Sequence, residues 1–282
     1  MGAPTVVIVG QSGNKFILGS EEDVLIAKQP KTLSTIAGKY NIFELTGPSL
    51  VTSFEYSGYG TMAYWHGMRA RSRIIDRLIP IIRKKREDLR EGRANAGSDI
   101  LSSLIDVKMR NEDVINEEMI VDNFVTLMIA GHDTSAILLS LMVWKLSKVP
   151  EIHQNIFEEQ MEIQKEIKGR EDQNLTWGDI QKMKYTWRVA QELMRIIPPV
   201  FGSFRKVVKD TSFGGFNIPK GWQVFWCAYN TDMDNDIFVN PKDFDPSRFE
   251  TNGSKPIPPY AYIPFGGGQH SCIGTNLQGW KR

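Results

Sequence analysis

The sequence predicts a mainly α-helical fold with a small β portion. Long stretches at 63–91, 116–148 and 183–197 repeat apolar residues at helical spacing. Short β-branched and aromatic runs, Val207-Val208, 213–218 and 224–228, follow with Gly and Pro turns between them. The chain then reaches a glycine-rich loop with a lone cysteine, Phe265-Gly266-Gly267-Gly268-Gln269-His270-Ser271-Cys272-Ile273-Gly274. Glycine there admits backbone conformations that a Cβ forbids and lets a flat ligand approach the main chain.

Taken in order, Thr5-Val6-Val7-Ile8-Val9 reads as a strand ended by Gly10, and 10–14 as a turn. A phosphate loop is the poorer alternative, because no Gly-Lys-Ser/Thr follows. A short helix is expected within 15–26, and 39–50 is mixed, with Gly47-Pro48 as a breaker. Segment 63–91 is an amphipathic helix in which Pro80 marks a kink or a join. Its basic cluster, Arg83-Lys84-Lys85-Arg86, is interrupted by Glu87, Asp88 and Glu91 and reads as a solvated face. Asp99 is placed to cap a helix over 100–107. Segment 116–148 has Asn116 as N-cap and Glu117 and Glu118 in its first turn; apolar residues on nearly every face predict a central, buried helix. Pro150 opens a more polar helix whose inner face holds Ile152, Ile156 and Phe157. Thr176 with Asp179 forms a capping pair and Leu175 with Ile180 a hydrophobic staple, and the helix at 183–197 is stopped by Pro198-Pro199.

The chain has 282 residues, 41% hydrophobic and 24% charged, with a net charge of +1. That is globular composition, and the balance gives no reason to invoke nucleic acid. Two cysteines, Cys227 and Cys272, make no disulfide framework. The first residues lack the basic and apolar regions of a signal peptide. The best apolar span, 124–144, carries His132 and Asp133 near its middle and is not a clean membrane helix.

Three groups of residues carry chemistry. Ala130-Gly131-His132-Asp133-Thr134-Ser135 puts a glycine and polar groups in the middle of the central helix, where they cost stability. A local bend with a satisfied Asp133 and a functional groove explain this equally well. Glu192 and Arg195 are three apart on one helix face, and Phe244-Asp245-Pro246-Ser247-Arg248-Phe249 follows. Alone, such a pair is a surface salt bridge of under ~1 kcal/mol. Cys272 is either a metal ligand or an ordinary free thiol. Cys227, in Trp226-Cys227-Ala228, reads as a core residue.

Together these motifs resemble the cytochromes P450. The Phe-x-x-Gly-x-x-x-Cys-x-Gly pattern resembles that family's haem loop, with Phe265, Gly268, His270 and Gly274 lining the haem and Cys272 as its axial thiolate. The 130–135 segment resembles the oxygen-activation motif: Thr134 would hydrogen-bond the oxygen bound there, and Asp133 would belong to the proton relay. Glu192, Arg195 and Arg248 would form the buried network behind the loop, serving folding and haem retention, and Arg205 would reach a haem propionate. The wording around Pro4-Thr5-Val6-Val7, Gly13-Asn14-Lys15-Phe16, Met68-Arg69-Ala70-Arg71-Ser72 and Pro198-Pro199-Val200-Phe201 is similar to plant terpenoid-oxidising P450s, and among them most to the conifer taxane hydroxylases. The resemblance implies a haem-thiolate monooxygenase that inserts one atom of O2 into an apolar, taxane-like terpenoid. By the same resemblance its electrons would come from NADPH through cytochrome P450 reductase.

The pattern departs from the family in places. His270 stands where the family has arginine. Against the family's pattern, the membrane anchor expected before Pro4, a block between Leu50 and Val51, and most of the helix after Cys272 read as missing. Residues 1–282 therefore read as one truncated P450 domain, with 1–50 its N-terminal sheet and helix part and 51–282 running from the long helix to the haem loop. Trp65 and Arg69 belong to the later helix and are not taken as propionate contacts. The family sits at the endoplasmic reticulum membrane; a chain without the anchor is expected to be soluble in the cytoplasm. Two other functions compete. One is a non-catalytic remnant that does not retain haem. The other is a zinc or cysteine-nucleophile protein using His270 and Cys272, for which His66, His132 and His153 offer no metal-like spacing.

Overall fold

A computed structural model describes residues 4–28, 62–110, 117–250, 256–268 and 271–277. Its chain divides into two compact units: Met1–Ala3, Glu21–Gly131 and Phe204–Gln223 form the first, and Pro4–Ser20, His132–Ser203 and Val224–Arg282 the second. The expectations for 39–50, Asn116, the junction at Leu50 and Val51, and His270 lie outside the described residues.

In the first unit, β2 (Leu25–Ala27) runs antiparallel to β3 (Gly202–Val207), with Leu25 opposite Val207 and Ala27 opposite Arg205. Leu25 and Ala27 are buried and Ile26 half-buried, a period of two that suits a strand. This corrects the expected helix over 15–26: pairing with β3 overrides the local helical pattern, and the helix there ends at Gly19. β4 (Thr211–Phe213) and β5 (Phe216–Ile218) form a hairpin closed by Gly214 and Gly215, at φ 60° and 83°. Two successive left-handed residues match the twist of a tight hairpin and favour glycine at both places.

The helical core of this unit joins α2 (Met62–Arg90), α3 (Ile100–Arg110) and the start of α4 (Glu117–Lys148). Leu78 and Ile82 of α2 meet Leu101 and Ile105 of α3 and Ile120, Val121 and Val125 of α4. Each such burial contributes roughly 1.5–3 kcal/mol. Pro80 lies inside α2 without ending it. The basic cluster is not merely solvated: Lys85 meets Asp99 at 2.7 Å and Arg86 meets Glu117 at 3.2 Å. Asp99 also accepts from the Ser102 N–H at 2.7 Å, so it caps α3 as expected. Lys85 first, and then Ser102, hold the Asp99 carboxyl well below the usual carboxylate range. Arg71 pairs with the buried Asp122.

In the second unit, β1 (Thr5–Ile8) lies beside β6 (Gln223–Cys227). The expected turn at 10–14 is instead the start of α1 (Gly10–Gly19). Gly10, at φ 84°, makes the sharp entry from the extended Val9, and Asn14 and Ile17 then bury one helix face. α5 (Pro150–Lys168) carries Pro150 in its first turn, where the missing N–H costs nothing. Its inner face is Ile152 and Ile163, with Ile156 half-buried against the same cluster as expected; Phe157 is 51% exposed, contrary to the sequence-based expectation. Phe157 lies five positions after Ile152, about 140° round the helix, and so faces away from the cluster that Ile152 joins.

α6 (Trp177–Ile180) begins with the expected capping box. The Asp179 carboxylate accepts from the Thr176 N–H at 2.9 Å, while the Thr176 hydroxyl accepts from the Asp179 N–H at 3.4 Å. Leu175, the outer half of the expected staple, is 55% exposed. Next comes α7 (Lys184–Ile196), whose Val189 and Leu193 pack with Ile152 and, more loosely, with Leu138, Leu141, Met142 and Leu146 of α4 and with Phe244.

The expectation that α4 is buried on all faces is overturned. Leu139, Val143 and Trp144 are 63%, 68% and 49% exposed. An all-apolar helix needs neighbours on every side. The described residues of this unit supply them along one stripe only. By length and composition α4 is also long and apolar enough to cross a membrane, the only such helix among the described residues, although Asp122, Asn123 and Thr126 add buried polar groups to it.

Candidate active site

α7 presents Glu192 and Arg195 on its buried face, three positions apart and both 0% exposed. The guanidinium forks onto the carboxylate: Nε donates to Oε2 and Nη2 to Oε1, each at 2.7 Å. Arg195 Nη1 also donates to the Asp232 carbonyl at 2.7 Å. The third member is on a 3-10 turn, Pro246–Phe249, whose Arg248 Nε donates to Glu192 Oε1 at 3.3 Å. That turn is initiated by Asp245, whose carboxylate accepts from the Ser247 N–H at 2.9 Å and whose own N–H donates to Glu192 Oε1 at 3.0 Å. Arg248 further donates to the Val239 carbonyl and, at 2.9 Å, to that of Asn240. The three sequence-selected residues thus meet at one carboxylate, with backbone groups completing their hydrogen bonds. Such completion is what a buried ion pair needs to offset its desolvation.

Two groups beside this cluster were missed from the sequence. Asp232 ends α8 (Tyr229–Asp232) and is 4% exposed. Burial pushes its carboxyl up to about 8; Arg195 opposes the shift and Glu192 adds to it. Tyr262 donates its hydroxyl to the Gln191 carbonyl at 2.9 Å and lies 4.8 Å from the Phe249 ring. Burial holds its phenol well above the ordinary value. No motif marks either residue; only the fold brings them to the network.

Asp232 has a consequence for stability. Its folded pKa lies above the unfolded one, so the native state holds the proton more tightly. The resulting stabilisation is fully present below the ordinary value of 3.8 and is lost as pH rises toward about 8. The slope from this group is expected to reach at most about 1.4 kcal/mol per pH unit. Urea denaturation across that range should show Asp232→Asn with a flatter pH profile than the parent. Identical profiles would show that Asp232 is not titrating there.

Three residues beyond Tyr262 the cysteine loop begins. The Cys272 N–H donates to the Phe265 carbonyl at 2.8 Å, which closes the loop, and Gly266 donates to Ile263 at 3.0 Å. The Phe265 ring stacks on Trp187 of α7, centroids 6.4 Å apart and planes 3° off parallel. Gly266 and Gly268 have φ of 68° and 63°. At Gly268 a Cβ would also stand 2.4 Å from the carbonyl oxygen of Leu18, so the position excludes any side chain. Cys272 is a free, exposed thiol, followed at once by α9 (Ile273–Leu277). A Cβ on Gly274 would lie 3.5 Å from its sulfur. Cys227, expected in the core, is half-buried in β6.

A free thiol on a loop with three successive glycines, Gly266 to Gly268, fits the ligation of a haem, since a flat ring can approach the backbone there. Among the described residues no group of three or more His, Cys, Asp or Glu is placed to hold a metal ion; His270, on which the zinc reading rests, lies outside them.

The oxygen-motif residues are placed differently from the expectation. α4 passes through Gly131 without a break, and Asp133 and His132 are exposed, with His132 Nδ1 3.0 Å from the Asp133 carboxylate. Thr134 is half-buried. The polar groups therefore do not sit in a buried part of the helix; exposure keeps them hydrated and removes the desolvation cost. Arg205 belongs to the first unit. It is 6% exposed, donates to the Phe204 carbonyl at 3.1 Å, and burial pulls its guanidinium below the ordinary value.

Comparison with known proteins agrees with this architecture. The sequence profile described as "Cytochrome P450" matches residues 14–278. The chain belongs to the cytochrome P450 family. It is 44% identical over 204 residues to a beta-amyrin 28-monooxygenase of Kalopanax septemlobus, which covers 72% of this chain and 41% of that protein. It is 39% identical over 211 residues to a taxane 10-beta-hydroxylase of Taxus cuspidata, covering 75% and 42%. The chain thus spans about two fifths of the length of these relatives. Among solved structures it is similar to retinoic acid-bound cyanobacterial CYP120A1, with a TM-score of 0.82 and 23% identity over 98% of this chain and 79% of that one. That likeness shows the fold, mainly α with a small β portion. The resemblance to plant terpenoid-oxidising P450s holds, with the beta-amyrin enzyme at higher identity than the taxane hydroxylase.

Proposed function

We propose that the protein is a haem-thiolate monooxygenase acting on an apolar terpenoid. The observation that carries this is the exposed Cys272 thiol on its glycine loop, closed by the bond to Phe265 and seated on α7 through Trp187. The haem would supply, when bound, the iron at which dioxygen is activated. Cys272 would hold it through its thiolate, and Gly268 and Gly274 would leave room for the ring. Glu192, Arg195 and Arg248 would keep the loop's support rigid. Asp133, exposed and joined to His132, would take protons from solvent, and the half-buried Thr134 hydroxyl would pass them toward dioxygen.

In balance, one oxygen atom enters a C–H bond and the other leaves as water, consuming two protons and two electrons. The electrons would come from NADPH through cytochrome P450 reductase. The names of the relatives support a triterpenoid or taxane-like substrate. A place at the endoplasmic reticulum membrane belongs to the same proposal for the whole protein.

The test is turnover. The chain reconstituted with haem, given NADPH, a plant reductase, labelled dioxygen and beta-amyrin, is expected to yield a product carrying one labelled oxygen. A haem-loaded chain that forms no oxidised product would overturn the substrate assignment. The exposed apolar flank of α4, with Leu139 at 63% and Val143 at 68%, favours the second reading, a remnant that does not retain haem. Failure to take up haem would establish it.

A further inference from the structure

We infer that α1 is a clamp that positions the haem loop, with Asn14 as its principal positioning residue. This goes beyond the proposed function and depends on Cys272 being the haem ligand only in its final, spectroscopic arm.

The geometry is a set of contacts along one helix face. Gln11 Nε2 donates to the Pro259 carbonyl at 2.7 Å. One turn on, Asn14 Nδ2 donates to the Tyr260 carbonyl at 2.7 Å and to the Thr231 hydroxyl at 3.2 Å. One further turn on, Leu18 lies against the loop glycines: a Cβ on Gly267 would meet its Cδ1 at 3.2 Å, and one on Gly268 its carbonyl oxygen at 2.4 Å. Positions 11, 14 and 18 repeat at helical spacing, so a single helix face reaches from Pro259 to Gly268. From sequence, 10–14 reads as a turn and 15–18 as part of a helix, and neither carries a site residue.

Asn14 is 0% exposed, and its amide is fully used. Trp226 Nε1 donates to Asn14 Oδ1 at 2.6 Å. An indole N–H can only donate, so the amide oxygen must face Trp226, and the two amide hydrogens are left for Thr231 and Tyr260. The amide orientation is thus fixed by chemistry as well as by packing.

The clamp also grips a conformation that would not hold itself. Tyr260 has a φ of 63°, in the left-handed region that a bulky side chain avoids. The Ala261 N–H donates to the Pro258 carbonyl at 3.1 Å across the same turn, and Ala261 is 0% exposed. Asn14 and Gln11 therefore hold the two carbonyls of a strained turn just upstream of the cysteine loop. Released, that turn would relax toward ordinary φ and re-aim the chain leading to Phe265 and Cys272.

The test uses native-state hydrogen exchange on the full chain without haem, followed by haem loading. Asn14→Ala is expected to speed exchange of the Ala261, Gly266 and Cys272 amides roughly tenfold, the change produced by losing the one of its three hydrogen bonds that reaches the turn. Gln11→Ala removes a bond at an exposed site and should give a smaller change in the same amides, so a poorly folding Asn14 variant does not decide the matter. The α7 amides should be unaffected in both variants. Unchanged loop amides in both variants, or acceleration spread evenly over α7, would overturn the clamp. In the haem-loaded parent, the reduced carbon monoxide complex should show the red-shifted thiolate Soret band. Gln11→Ala should shift part of that band to the form lacking thiolate. A band unchanged while exchange rises would contradict the claim that α1 positions Cys272. A parent that takes up no haem would sink the functional reading, while the exchange data would still decide the clamp.

Discussion

Glu192→Ala is expected to destabilise the second unit by about 3–5 kcal/mol, the cost of breaking one side of a buried ion pair. The carboxylate accepts from Arg195 twice, from Arg248 and from the Asp245 N–H. Its removal strands a guanidinium that is 0% exposed and cannot lose its charge. Loss of Arg248, by contrast, leaves Glu192 both bonds from Arg195 and the one from the Asp245 N–H. Arg248→Ala should therefore cost less than Glu192→Ala. Urea denaturation followed by circular dichroism would measure both through the midpoint at constant slope. A loss below ~1 kcal/mol for Glu192→Ala would mean that the pair behaves as an exposed salt bridge.

Gly268→Ala carries the second large effect. The residue sits at φ 63°, where any L side chain costs about 1–2 kcal/mol. The added Cβ would stand 2.4 Å from the Leu18 carbonyl oxygen, which is backbone and cannot swing aside. Either α1 or the loop must move. The expected result is a lowered thermal midpoint together with faster exchange at the Cys272 amide. Gly274→Ala is the control, since its Cβ would meet the Cys272 sulfur at an ordinary 3.5 Å. Equal effects from the two substitutions would show that the loop is not seated on α1.

Much of this site is written locally in the sequence. Glu192 and Arg195 are three apart, so any helix brings them together, and the Phe265 to Cys272 spacing lets the loop close on itself. The Thr176 and Asp179 cap is likewise a local device. What failed depended on distant partners. Residues 25–27 became a strand because β3 pairs with them, and nothing nearby announces that. Gly10 and Gly13 suggested a turn, whereas Gly10 supplies only the left-handed entry to α1, and Asn14, which a local rule assigns to loops, is held by Trp226 from far along the chain. The apolar surface of α4 implied burial, but burial requires neighbours, and composition cannot say whether they are present. Asp232 carries no signal at all until α8 lays it against Arg195.

The central claim is that Cys272 is a haem ligand. The most direct measurement is the Soret spectrum of the haem-reconstituted chain, reduced under carbon monoxide, beside that of Cys272→Ala. The exposed thiol makes the substitution mild for folding, so the comparison isolates ligation. The account predicts a red-shifted thiolate band in the parent that is absent from the variant. A parent that takes up no haem, or a band that survives the loss of Cys272, would contradict it.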